Sequence, residues 1–217
     1  QNITYPFTKT NPSRNVVFKI SWFIYQPICV QFDRQKLLQP KQMYSKVSFI
    51  TFHPSLPLLS VISSDTSMVI YDLTTVPPTI KQHIAPFGSY GDIFCMVFHP
   101  ILAHLIIGFD CITILYDLTT YPPIIQTRPK DHTGHIYCVA FHPNIALFAT
   151  GSWDTSTILY DNSTTQPTFR HRLKYHTGIV VSIAFHSSLL LLATGSTDKS
   201  AIIYDLRTAP PTVQYHL

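Results

Sequence analysis

An all-β repeat array is the fold class this chain predicts, and three observations predict it. Phe-His-Pro stands at Phe52, Phe98 and Phe141, and Phe-His-Ser at Phe185, at spacings of 46, 43 and 44 residues. Tyr-Asp follows each in turn, at Tyr71-Asp72, Tyr116-Asp117, Tyr160-Asp161 and Tyr204-Asp205. The third observation is compositional. Glu is absent and Ala is sparse, while Val, Ile, Thr, Tyr and Phe abound. The missing residues are strong helix formers and the abundant ones suit pleated strands. A fixed period in the low to middle forties marks a repeat architecture. Such arrays usually offer a surface to partners rather than one catalytic cleft.

The third unit shows the elements in order. Ile136 to Phe141 reads as a strand, closed by His142-Pro143-Asn144, because proline cannot donate to a ladder. Leu147 to Ser152 is the next strand, and Trp153-Asp154-Thr155-Ser156 is a turn in which Asp supplies a side-chain acceptor. Thr157 to Tyr160 is a third strand, and Thr168 to Arg172 supplies a fourth. Four strands make a small antiparallel sheet with too many apolar residues for one wet face. Stacking sheets face to face buries both sides. Units one, two and four align on this one, with one residue lost before Asp110. Upstream, Cys29 to Asp33 reads as the last inner strand of a decayed earlier unit.

Composition excludes several functions. Apolar residues are 46% and charged residues 12%, so the chain forms a core. The formal charge of +4 is uneven: residues 1–46 carry seven Lys/Arg against Asp33, and residues 47–217 carry eight Lys/Arg against ten Asp. The repeat body therefore lacks the basic stripe of a nucleic-acid binder. The four cysteines, Cys29, Cys95, Cys111 and Cys138, have no C-x-x-C spacing, which argues against a zinc ribbon or a disulfide framework. No apolar run approaches the length of a membrane span. These features point to a cytoplasmic chain, with the nucleus as the alternative, and to no membrane partner.

The third unit resembles a WD40 repeat. The residues that carry the resemblance are His132-Thr133-Gly134-His135 leading into Ile136 to Pro143, then Leu147 to Asp154, then Ile158-Leu159-Tyr160-Asp161. The resemblance covers roughly residues 43–217, with units at about 43–88, 89–131, 132–175 and 176–217. It implies a WD40-type β-propeller of about four full blades. Residues 1–42 would be a degenerate blade or an N-terminal extension. Family propellers commonly close with about seven blades. Three expectations follow: the chain is an incomplete piece of a larger propeller, it closes with four or five blades, or it self-associates to complete the propeller.

The resemblance also implies a hydrogen-bonded tetrad in each blade. By position it falls on His132, Thr150, Asp154 and Tyr160 in unit three, and on His176, Thr194, Asp198 and Tyr204 in unit four. Tyr stands where the family has Trp in all four units. Units one and two place Met43 with Val61, and Ser89 with Ile107, where His and Thr belong, keeping only Asp65 and Asp110. A buried Asp without donors is costly, so these two are expected to find backbone or water partners.

The resemblance further implies a partner-binding rim made of the loops before each first strand and the turns before each repeated Asp. Its candidates are Trp153, Phe109, His135, Tyr175, Arg128 and Lys130, with Phe87, Tyr90, Arg170, Arg172 and Lys174 nearby. Trp, Tyr and Arg dominate interface hot spots. Asp205-Leu206-Arg207 resembles the end of the box through which WD40 substrate receptors dock on the adaptor of a cullin–RING ubiquitin ligase, with Arg207 as the contact. The repeated His53, His99, His142 and His186 read as turn residues rather than a metal ring, since metal ligands must converge to about 2.0–2.3 Å of one ion. No P-loop, G-x-S-x-G or H-E-x-x-H occurs. The expected function is a non-catalytic scaffold for a protein or peptide, without cofactor or metal. The alternatives are a ligase substrate receptor, a propeller enzyme and a decayed gene fragment.

Overall fold

The computed structural model describes residues 46–84, 93–127, 130–164 and 166–217. The degenerate N-terminal unit, Met43, Ser89, Phe87, Tyr90 and Arg128 lie outside them. All regular structure among the described residues is strand, in four meandering antiparallel sheets. Sheet one holds β1 (Val47–Phe52), β2 (Leu58–Ser63), β3 (Met68–Asp72) and β4 (Thr79–Ile84). Sheet two holds β5 (Ile93–Phe98), β6 (His104–Phe109), β7 (Ile112–Asp117) and β8 (Ile124–Thr127). Sheet three holds β9 (Ile136–Phe141), β10 (Leu147–Ser152), β11 (Thr157–Asp161) and β12 (Thr168–Leu173). Sheet four holds β13 (Val180–Phe185), β14 (Leu191–Ser196), β15 (Ala201–Asp205) and β16 (Thr212–His216). The strands lie side by side in chain order in every sheet. Each repeat is thus one sheet, as the period predicts.

The two anchors of the repeat build the two strand ends. In each Phe-His motif the imidazole Nδ1 accepts the backbone N–H groups two and three residues on. Ser55 and Leu56 donate to His53 at 3.1 and 2.9 Å, and Ile101 and Leu102 to His99 at 3.1 and 3.0 Å. Asn144 and Ile145 do the same for His142, and Ser188 and Leu189 for His186. The Tyr-Asp aspartates cap the turn after the third strand. Asp72, Asp117, Asp161 and Asp205 accept the backbone N–H of Thr74, Thr119, Ser163 and Arg207 at 2.8 to 2.9 Å. An Asx turn of this kind ends a strand by offering the backbone a local acceptor.

The sheets pack in sequence order. Sheet one shares a core with sheet two around Ile62, Met68, Ile70, Leu105, Ile107 and Tyr116. Ile106 and Leu115 of sheet two bury against Phe148, Ile158 and Tyr160 of sheet three, and Ala149 and Leu159 of sheet three against Leu192, Ile202 and Tyr204 of sheet four. Close approach needs glycine at two junctions. A Cβ on Gly108 would lie 2.8 Å from Ile136 Cγ2, and one on Gly151 would lie 2.6 Å from Val180 Cγ1.

Each junction also carries a ring contact from one repeat to the next. His53 packs on Phe98 at 5.0 Å, His99 on Phe141 at 4.8 Å and His142 on Phe185 at 5.3 Å between centroids. The described array breaks this pattern at its two ends. Phe52 is 57% exposed, against 3% for Phe98 and 8% for Phe141. His186, Ser182 and Ala184 are exposed, and a Cβ on Gly195 would meet nothing nearer than Ser182 at 3.7 Å.

Candidate functional site

Sheets three and four each fix a buried polar chain at one end. His132 Nδ1 lies 2.9 Å from Asp154 Oδ2, and its Nε2 lies 2.8 Å from Thr150 Oγ1. The carboxylate can only accept, so Nδ1–H donates to it. Burial, the largest influence, lowers the His132 pKa and keeps the ring neutral despite Asp154, so Nε2 accepts from the Thr150 hydroxyl. His176, Asp198 and Thr194 repeat the arrangement at 2.9 and 2.8 Å. Asp154 also accepts from the backbone of Thr133 and Ser156, and from the Ser156 hydroxyl at 2.6 Å. Burial opposes its charge, but these donors and His132 outweigh burial and hold the carboxyl well below the usual range.

The aromatic end of the chain is weaker. Tyr160 is fully buried, and its Oη has no hydrogen-bond partner of good geometry. Burial chiefly pushes this phenol up; the Asp131 carboxylate adds to the rise and the Thr150 hydroxyl opposes it. Tyr204 is equally buried and shifts the same way, with burial the largest cause.

Arg172 is an unforeseen fifth member in sheet three. The sequence puts it at the end of the fourth strand and among the rim residues that would face a partner. Its place in β12 instead turns the guanidinium inward, onto Ser156 Oγ at 2.9 Å, Asp154 Oδ2 at 3.4 Å and the Asp131 carbonyl. Its paired strand position, opposite Ile158, is the signal that sequence alone does not register.

The two isolated aspartates take different routes. Asp65 accepts from the backbone N–H of Ser67 at 3.0 Å and from its hydroxyl at 2.7 Å, keeping a local turn. Asp110 corrects the expectation of a buried carboxylate seeking backbone or water. The missing residue shortens the β6–β7 turn to two residues, with Asp110 at a φ of 48°. Asp tolerates that conformation. Its carboxylate is 47% exposed and faces His135 Nδ1 of sheet three at 2.8 Å.

Phe109 is the second correction. The short turn leaves it as the last residue of β6, paired with Ile112 and Ile93, and it is 2% exposed in the core of sheets one and two. It is closed to a partner. Trp153 is the opposite case, 52% exposed at the β10–β11 turn, with its backbone N–H on the His135 carbonyl at 2.8 Å. Gly134 permits this approach, since a Cβ there would sit 2.9 Å from Asp154 N.

Around Trp153 the rings of Phe94, His135 and Tyr137 complete a patch. Phe94 contacts His135 at 5.2 Å and Tyr137 at 5.0 Å, and Trp153 contacts the same two at 5.6 and 6.1 Å. Phe94 and Tyr137 occupy the bulge positions of β5 and β9, where the register slips by one residue. A bulge re-aims its side chain, so period-two alternation could not point to either residue. Tyr175 and Lys130 are exposed in the loops before β13 and β9, at the same end of the sheets.

Arg207 lies at the other end, beyond β15. Its guanidinium is bidentate on Asp205, at 2.9 Å from Oδ1 and 2.5 Å from Oδ2. The sequence-derived contact residues therefore divide between two opposite edges. Among the described residues no cluster of three or more His, Cys, Asp or Glu could hold a metal ion, and no helix is long and apolar enough to cross a membrane.

No curated protein matches the chain significantly. A family model described as "WD domain, G-beta repeat" matches residues 125–161 and 167–205, which span most of sheets three and four. These two matches, with four repeated four-stranded sheets among the described residues, support a WD40 repeat assignment.

Proposed function

We propose that this chain is a non-catalytic scaffold that binds a protein or peptide across the edge formed by Trp153, His135, Tyr175 and Lys130. WD40 repeats in general support protein-interaction scaffolds, and the family is generally non-catalytic. The carrying observation is the half-exposed Trp153, held in place by its own backbone and continuous with Tyr137, His135 and Phe94. A rigid aromatic surface binds without ordering flexible side chains, and its rings keep polar handles for orientation. Asp110 adds a carboxylate to the patch and Lys130 a cation at the same end.

The test is capture from a cell extract by the parent chain, Trp153→Ala and Arg207→Glu, each shown folded by circular dichroism. A partner kept by Arg207→Glu and lost by Trp153→Ala supports this edge. The reverse pattern moves the site to the opposite edge, where ligase-adaptor docking through Arg207 becomes the better reading. Equal capture by all three chains removes both edges as the site.

A further inference from the structure

One repeat position is used differently at two junctions. Gln82 of β4 stands opposite Ile70, and His171 of β12 stands opposite Leu159 at the matching place. Gln82 is 2% exposed and reaches the turn after β7. Its Nε2 donates to the Leu118 carbonyl at 3.2 Å and to the Thr120 carbonyl at 2.7 Å. Leu118 and Thr120 follow Asp117 as Leu206 and Thr208 follow Asp205, so the latter two carbonyls hold the same places in sheet four. Among the described residues nothing donates to them, His171 included.

A cavity of about 90 Å³ lies there instead, lined by Arg170 and His171 of sheet three and by Leu206 and Thr208 of sheet four, with Leu147 and Leu159 as its apolar floor. That is about three times a water's ~30 Å³ share and less than the ~150 Å³ that admits benzene, a fit for one side chain of moderate size. Arg170 is the extra residue of the β12 bulge, between the partners of Leu159 and Tyr160. A bulge re-aims its side chain.

The polar groups of the cavity select a ligand. Two carbonyl oxygens need a donor, and a guanidinium can only donate, so Arg170 needs an acceptor. An ammonium would meet Arg170 as a like charge. A carboxylate would meet two carbonyl oxygens. A primary amide answers both sides and is neutral.

We propose that this cavity is a subsite for a primary carboxamide, the side chain of a glutamine on a protein partner. The amide NH₂ donates to the Leu206 and Thr208 carbonyls, as Gln82 does to their counterparts. The amide oxygen accepts from Arg170, a donor that the buried Oε1 of Gln82 lacks. The methylenes rest on Leu147 and Leu159. Residues 1–46 also contain glutamines, but they carry seven Lys/Arg against Asp33. That charge repels Arg170 and favours a separate partner as the source.

The measurement is a nuclear magnetic resonance titration of the full 217-residue chain, labelled with nitrogen-15. The probes are N-acetyl-glutamine methylamide and N-acetyl-glutamate methylamide. The glutamine probe should move the amide signals of His171, Arg207 and Ala209 saturably, with a Kd of about 1–10 mM, as suits one side chain. The glutamate probe should bind at least about tenfold more weakly. His171→Gln should fill the cavity from within, raising the melting temperature by about 2–4 °C and abolishing the probe's shifts. Arg170→Met, at an exposed site, should keep the fold and weaken the probe about tenfold. Trp153→Ala should leave the titration unchanged, which separates this subsite from the proposed partner edge. Absence of saturable shifts in the parent overturns the inference. So does equal binding of the two probes, or parent-like binding by His171→Gln.

Discussion

His53 uses both nitrogens of one ring, taking two backbone N–H groups of its own turn on Nδ1 and donating Nε2–H to the Leu102 carbonyl of sheet two at 2.8 Å. The same ring packs at a tilt on Phe98. A single neutral imidazole therefore closes a turn, ties two sheets and caps an apolar junction. Replacing it removes all three at once.

His142→Ala tests that role where the ring is buried. Losing the Nδ1 acceptor strands the N–H groups of Asn144 and Ile145, and losing the ring opens space beside Phe185. A loss of about 1–3 kcal/mol is expected, or roughly 3–10 °C in melting temperature. His142→Asn should recover part of it by restoring an acceptor. Equal losses in both would show that packing alone matters at this position.

The pH dependence follows from the same rings. Burial lowers the pKa of His53, His132 and His142, and takes His99 down to about 4 with help from the charges of His104 and His53. The unfolded chain then binds more protons than the folded one below the ordinary histidine value of about 6.5. Stability is full above that pH and falls as pH drops from about 6.5 towards 4. Because His99 is partly exposed, its share of the loss between pH 7 and pH 5 is discounted to about 1 kcal/mol. Urea midpoints at the two pH values measure it. The depressed carboxyl of Asp154 acts in the same sense, adding its own loss of stability in stronger acid.

Asp154 and Asp110 occupy the same repeat position and should behave differently. Asp154→Asn removes the charge that holds His132, Thr133 and Ser156, at a cost of about 2–4 kcal/mol. Asp110→Asn changes a half-exposed contact and should stay within about 0.5–1 kcal/mol of the parent. Chemical denaturation of both variants decides it; similar losses would mean that Asp110 is as deeply engaged as Asp154.

Tyr160→Phe is expected to be neutral or stabilising by up to about 1 kcal/mol. The hydroxyl it removes is buried without a partner of good geometry, and such a group contributes only its desolvation cost. A clear destabilisation would mean that the Thr150 or Asp131 side chain holds the phenol after all.

Glycine at one repeat position gives a paired test of packing. Gly151→Ala pushes a methyl towards Val180 and Cys138 Sγ, at 2.6 and 2.7 Å, and should cost about 1–3 kcal/mol. Gly195→Ala meets only Ser182 Cβ at 3.7 Å, an ordinary contact, and should be neutral or stabilise by about 0.4–1 kcal/mol through the unfolded chain. Equal costs in thermal melts would indicate that something covers Gly195 in solution.

Much of the architecture was legible because the repeat writes each structural need four times. Phe, His, Tyr and Asp recur where strands end, and sixteen strands follow in four sheets among the described residues. The polar chains of His132 and His176 were legible through the family resemblance alone, which implies a His, a Thr and an Asp at these repeat positions. Three features were not. One lost residue buries Phe109 and swings Asp110 towards His135, and a deletion does not announce which way its turn will close. The bulges that aim Phe94 and Tyr137 break the alternation from which faces are read. The contact of each repeat's histidine with the next repeat's phenylalanine joins different units, so comparing one unit with another does not reveal it.

The sulfur of Cys138 is sealed between sheets three and four, on the Val180 carbonyl. An alkylating reagent can reach it only when that junction parts. The chain thus carries a built-in clock: the labelling rate of this one thiol, in the native protein and without any introduced probe, reports how often neighbouring repeats separate and how quickly they rejoin.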